Sequence, residues 1–177
     1  MKVFAFLIVL SGLFITNISF ATYKLEFNNK YLTLYDNSQI IKTWPAKAGG
    51  LFSTTNDQNK KNYGPLPEGV YTANLSNRIL FFKTKNFKYK IHRLIKYPAW
   101  GTSALALIPN NANNMYGRSD FYIHGGGWIA GSKGCIYLKS SEKDFFYTLK
   151  SLHIKEFTLL VKYPNKQEKV VTNDKSK

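Results

Sequence analysis

The chain predicts a mostly β domain with one short helix. Short runs of Leu, Phe, Tyr and Ile recur between Asn-, Asp- and Gly-rich turn clusters. One segment alternates apolar and basic side chains with period two, and a single segment after residue 140 carries apolar residues at helical spacing.

Taken in order, YKLEFNNKYLTLYDNSQIIKTW from Tyr23 breaks at NN and DNS into a meander of half-buried strands. Residues Ala48 to Gly69 are rich in Gly, Asn, Asp and Pro and predict a long surface loop, with a strand resuming near Val70 and Tyr71. Between Ile79 and Leu94, Phe87, Tyr89 and Ile91 alternate with Lys88, Lys90 and His92, which predicts a strand with one wet face. The polar stretch PNNANNMYGR, Pro109 to Arg118, is a loop, and SDFYIHG is a short strand that ends on His124. Ser141 is an N-cap candidate with Asp144 three residues on, followed by Phe145, Phe146, Leu149 and Leu152 on one helical face. EFTLLVKYP is a closing strand, and residues 165–177 form a polar, basic tail.

The first 21 residues carry Lys2, an apolar run from Val3 to Ile15, and small residues at Ser19 and Ala21, the pattern of a secretory signal peptide cleaved after Ala21. The apolar run is short of the ~20 residues a spanning helix needs. The expected mature chain is therefore one domain, residues 22–164, plus the tail, exported to the periplasm or another extracytoplasmic part of a bacterial envelope, with no stable membrane anchor. The formal charge of +15 becomes +14 once Lys2 is removed and favours an anionic partner. Export and the lack of nucleic-acid-binding motifs argue against DNA or RNA. One cysteine, Cys135, and scattered histidines, His92 and His153 among them, suggest no metal site and no cofactor.

Three chemistries compete for DFYIHGGGWIAGSKGCIYL, Asp120 to Leu138. HGGG resembles the oxyanion loop of an α/β-hydrolase, but Ser132 follows too soon and the chain lacks alternating strands and helices. Ser140 to Lys143 matches S-x-x-K of the penicillin-recognising serine enzymes, with KTK at Lys83, but the other boxes of that class are missing and helix capping explains the serines. The third is thiol acyl transfer. A free thiol near pKa ~8.5 is only a few per cent thiolate at neutral pH, so a neighbouring imidazole that takes its proton makes it a nucleophile. His124 and Cys135 are that pair, and the glycines around them, Gly134 in particular, allow main-chain N–H groups to turn toward an oxyanion. Trp128 is placed to roof the site.

His124-Gly125 followed by Ser132-Lys133-Gly134-Cys135-Ile136 resembles the H-G…[S/T]-x-G-C-[I/V] signature of the L,D-transpeptidase catalytic domain, and Gly64 to Tyr71, GPLPEGVY, resembles its upstream P-x-G-x-[F/Y] element. The resemblance implies a β-sandwich-like domain whose substrate is the peptide stem of peptidoglycan. Cys135 would attack the carbonyl of the third-position diamino acid and release D-Ala; water, an amine or a free D-amino acid would then resolve the thioester. His124 would be the base, Gly125 would orient the imidazole, and Ser132 and Gly134 would shape the oxyanion loop. The family signature carries Arg where this chain has Tyr137, and Arg118 is the expected replacement cation, so Arg118, Tyr137 and Trp128 are the candidate substrate contacts. The shorter GRSDFYIHG…GSKGCIYL version more closely resembles a divergent branch of the family that includes secreted peptidoglycan-attacking effectors. The signal sequence favours remodelling of the cell's own wall by a monomer; a wall-binding module without catalysis is the alternative from another class.

Overall fold

The computed structural model describes residues 23–81, 100–126 and 131–164. Among the described residues eleven strands form two sheets. The first sheet contains β1 (Tyr23–Phe27), β2 (Tyr31–Asp36), β3 (Gln39–Pro45), β5 (Gly69–Asn74), β8 (Ile108–Pro109) and β11 (Glu156–Val161), in the order β3-β2-β1-β11-β5-β8. The second contains β4 (Lys47–Ala48), β6 (Ile79–Leu80), β7 (Ser103–Ala106), β9 (Tyr122–His124) and β10 (Ile136–Tyr137), in the order β4-β10-β9-β7-β6. One helix, α1 (Glu142–Ser151), follows β10.

Alternation builds the core. Leu25 and Phe27, Leu32 and Leu34, and Phe157, Leu159 and Val161 are the inward positions of β1, β2 and β11, and their neighbours face outward. From the second sheet Leu105, Ile123 and Ile136 enter the same cluster, and α1 adds Phe145, Phe146 and Leu149. The two sheets thus share one apolar interior. Asn29 and Asn37 take the left-handed backbone at the β1–β2 and β2–β3 turns (φ 65° and 54°), as their short polar side chains allow. The last strand in sequence is central in space: β11 runs parallel to β1 and antiparallel to β5.

Several sequence expectations change. The stretch Ala48–Gly69 is not all surface, since Gly64, Pro65, Leu66 and Pro67 are buried and Tyr71 donates its hydroxyl to Pro67 O at 2.7 Å. Of the strand expected over 79–94, Ile79–Leu80 is seen; the remainder from residue 82 lies outside the described residues. The Ser141–Asp144 capping box does not form, because a 3-10 turn over Lys139–Ser141 leads directly into α1 and leaves Ser141 in helical conformation. Asp144 instead accepts from Trp44 Nε1 at 2.6 Å and Lys42 Nζ at 2.8 Å, which ties α1 to β3. The expected signal peptide and the tail lie outside the described residues. No helix among those residues is long and apolar enough to cross a membrane.

Candidate active site

The site is laid out by two short parallel strands. Ile136 pairs with Ile123 and Tyr137 with His124, and both isoleucines are fully buried. Successive strand residues point to opposite faces, so Tyr122, His124 and Tyr137 share the face away from those isoleucines. His124 thus ends β9, and Cys135 directly precedes the strand paired with it. On the other side of β9, the small residues Ala104 and Ala106 pair with His124 and Tyr122. Trp100 covers that region, its ring 4.9 Å from His124 and 5.5 Å from Tyr122.

His124 is 4% exposed, with Nδ1 2.6 Å from the carbonyl oxygen of Gly125. A carbonyl can only accept, so in the neutral ring Nδ1 carries the proton and Nε2 is left as the acceptor. Gly125 is thus the orienting residue, and it has to be glycine: a Cβ there would overlap the Glu142 carboxylate. That carboxylate is itself fixed. Glu142 is buried and accepts from Thr102 N, Thr102 Oγ1 (2.8 Å), Ser103 N (2.7 Å) and Ser103 Oγ (2.8 Å). Arg78 donates to Ser103 Oγ through Nε and Nη2 and lies 3.6 Å over the Phe146 ring, so a cation stands behind the buried acid.

Cys135 is also buried. Its thiol lies 3.8 Å from Asp120 O as a donor, and burial pushes it up to about 11, against the opposing pull of the Tyr122 and Cys135 main-chain N–H groups and the Arg118 cation. The resting sulfur is a protonated thiol with main-chain N–H groups directed at it. Behind it, Ser132 Oγ donates to Cys135 O at 2.6 Å and accepts from Gly49 N at 3.1 Å and Gly134 N at 3.2 Å. Ser132 therefore pins the loop, and the Gly134 N–H expected at the oxyanion is spent on that hydroxyl. Gly134 contributes conformation instead: its φ is 126°, and a Cβ would overlap Arg118 and Phe121.

Arg118 is not the substrate cation that the sequence suggested. It is 7% exposed, and its guanidinium donates to four carbonyls, Gln58 O, Pro65 O (2.7 Å), Gly64 O (2.8 Å) and Lys133 O (3.1 Å). It staples the buried end of the 58–65 segment to the residue preceding Gly134. Tyr137 is 7% exposed, between His124 on β9 and Lys47 on β4. Trp128 lies outside the described residues. Sequence reasoning missed Trp100 and Glu142. Glu142 had been visible only as part of the SSEK pattern read as a cap, and an acid at the first position of a helix gives no sign of burial. Among the described residues no group of three or more His, Cys, Asp or Glu side chains can hold a metal ion.

In shape the chain is similar to several solved structures. Mycobacterium tuberculosis L,D-transpeptidase 1 is 15% identical over 80% of this chain and 62% of its own, with a TM-score of 0.44. The helical cell shape determining protein Pgp2 of Campylobacter jejuni is 18% identical over 85% of this chain and 52% of its own, with a TM-score of 0.47. The catalytic domain of the E. faecium L,D-transpeptidase is 18% identical over 80% of this chain and 96% of its own, with a TM-score of 0.38. The chain thus spans about three-fifths of the first of these and half of the second. No curated protein matches it in sequence. The sequence profile of the Tlde1 domain matches residues 48–163, and the chain belongs to that family, whose members are peptidoglycan-targeting effectors.

Two outcomes follow from this geometry. Because burial disfavours the charged form, Cys135 carries about a hundredfold less thiolate than an ordinary thiol at neutral pH. Iodoacetamide labelling followed by mass spectrometry should be correspondingly slow at pH 7 and accelerate about tenfold per pH unit up to about pH 11; a rate already on a plateau at pH 8 would contradict it. Arg118→Lys keeps the charge but lacks the planar fork, leaving buried carbonyls unpaired. Urea denaturation should show a loss of about 2–4 kcal/mol.

Proposed function

We propose that this protein is an exported cysteine acyl-transferase that cleaves the L,D bond of peptidoglycan tetrapeptide stems through a thioester on Cys135. The observation that supports the reading is the pairing of β9, which ends on His124, with β10, which Cys135 directly precedes, together with His124 Nδ1 committed to Gly125 O. Membership of a peptidoglycan-targeting family supplies the substrate class.

The high thiol pKa makes a standing thiolate–imidazolium pair a poor description of the resting enzyme. At pH 7 a group near 11 is ionised in roughly one molecule in ten thousand. Proton transfer from Sγ to His124 Nε2 instead accompanies attack on the carbonyl carbon, as general-base catalysis. The N–H of Cys135, already directed at the sulfur, is the natural donor to the new oxyanion. The C–N bond then breaks, His124 returns its proton to the departing amine of D-Ala, and the thioester remains. Water or an amine, deprotonated by the same Nε2, attacks the thioester carbonyl, and the sulfur leaves and recovers a proton. Water gives L,D-carboxypeptidation, a diamino acid side chain a 3→3 cross-link, and a free D-amino acid exchange. No metal or cofactor enters any step.

A second reading concerns whose wall is attacked. The signal-like N-terminus favours the cell's own wall, whereas the family match favours use as an antibacterial effector. The chemistry is the same in both.

The test is mass spectrometry of the protein and of Cys135→Ala after incubation with disaccharide-tetrapeptide, with and without excess D-amino acid. Loss of D-Ala, dimer formation or exchange that disappears in the variant is the expected result. Unchanged tetrapeptide with retained wall binding would leave a binding module in place of an enzyme.

A further inference from the structure

We propose that a cationic groove beside Tyr137 is a subsite for a carboxylate on the part of the peptide stem that stays bound to Cys135, rather than for the carboxylate of the departing D-Ala. The proposal rests on the peptidoglycan reading above and specifies which portion of the stem is recognised.

The groove has a volume of about 310 Å³ and is lined by Lys30, Lys47 and Lys139 with Tyr31, Pro45 and Tyr137; no acidic side chain lines it. None of the three lysines forms an ion pair among the described residues, where Lys24, Lys42 and Lys60 each have an acidic partner. Three uncompensated cations in one concave site repel one another, and that repulsion is relieved when an anion enters.

The backbone directs them there. Lys47 pairs with Tyr137 across the β4–β10 ladder, so its side chain shares the face that carries His124. Lys139 is in the left-handed region (φ 49°), a conformation that costs a non-glycine residue and turns the chain immediately after β10. Lys30 is brought in from the β1–β2 turn, where its carbonyl accepts from Ala46 N at 3.0 Å. Cations from three separate segments therefore surround one end of the strand whose other end is the nucleophile. They stand near Tyr137, the position at which an arginine was expected and for which buried Arg118 cannot substitute.

Distance selects the carboxylate. Neither Cys135 nor His124 lines the groove, which is centred beyond Tyr137, two residues or about 6.6 Å of strand from Cys135. The carboxylate of the departing D-Ala is within one residue of the scissile carbonyl, at most about 3.6 Å. A carboxylate on the next residue of the stem, or at the end of the diamino acid side chain, has the longer reach. Such a contact persists in the thioester and helps to retain the acyl-enzyme while an acceptor arrives.

The test uses Cys135→Ala, which cannot turn over, and measures binding of disaccharide-tetrapeptide by calorimetry. A second ligand is the same compound with every carboxylate except the C-terminal one amidated. Lys47→Ala/Lys139→Ala in that background should weaken binding of the free-acid stem roughly tenfold, and added salt should shrink the difference. Lys143→Ala/Lys150→Ala, two exposed lysines on α1, controls for net charge and should leave affinity unchanged. The amidated stem should bind weakly to both proteins, with no further loss from the double variant. Equal affinity of parent and double variant for the free acid would overturn the subsite while leaving the peptidoglycan reading intact. A loss that is the same for both ligands would assign the groove to the leaving group's carboxylate and also overturn it. No binding of either stem to the parent would remove the peptidoglycan reading, and the subsite with it.

Discussion

The site depends on how little chain joins two parallel neighbours. Parallel strands ordinarily need a crossover of a dozen or more residues, and β9 and β10 have only residues 125–135. The chain must leave His124, travel back and re-enter beside the same strand within that length. It succeeds with Gly126, Gly131 and Gly134 at positive φ and Ser132 bonding to three main-chain groups at the far end. Short parallel strands have few ladder bonds to hold them, so their register relies on what is packed around the crossover.

Two buried charges supply that support, one at each end. Glu142 fills the space beside Gly125 and gathers the 102–103 backbone, while Arg118 collects carbonyls from 58, 64, 65 and 133 beside Gly134. Burying either would be costly alone; Arg118 is satisfied by main-chain carbonyls, and Glu142 by the main-chain N–H groups and hydroxyls of Thr102 and Ser103. These interactions position the site without taking part in chemistry. Together they turn a glycine-rich segment into a surface on which an imidazole and a thiol have fixed orientations.

Much of this was legible in the residues, and the failures share a cause. The half-buried strands were readable because alternation in YKLEF, YLTLYD and EFTLLV reflects local geometry. The candidate pair, His124 and Cys135, stands out because histidine, glycine and cysteine types coincide at one strand end. Arg118 reads as a substrate cation and Glu142 is missed because sequence does not show burial, and only tertiary structure shows that the carbonyls of Gln58, Gly64 and Pro65 need a donor. The cap at Ser141 failed for a similar reason: Asp144 was claimed by Trp44 and Lys42 from β3. Nor does periodicity indicate that β11, last in sequence, lies at the centre of its sheet.

The chemistry that follows rests on one tautomer. If Gly125 O holds the proton on Nδ1, Nε2 of the neutral ring is an acceptor, the form that the proposed general base for the Cys135 thiol requires. Long-range ¹H–¹⁵N correlation NMR of the imidazole, with the ring neutral, distinguishes the two forms directly. The account predicts the Nδ1–H tautomer for His124, lost in no variant that leaves Gly125 and Glu142 in place. A neutral ring protonated on Nε2 would contradict it, because the nitrogen assigned as base would then be a donor.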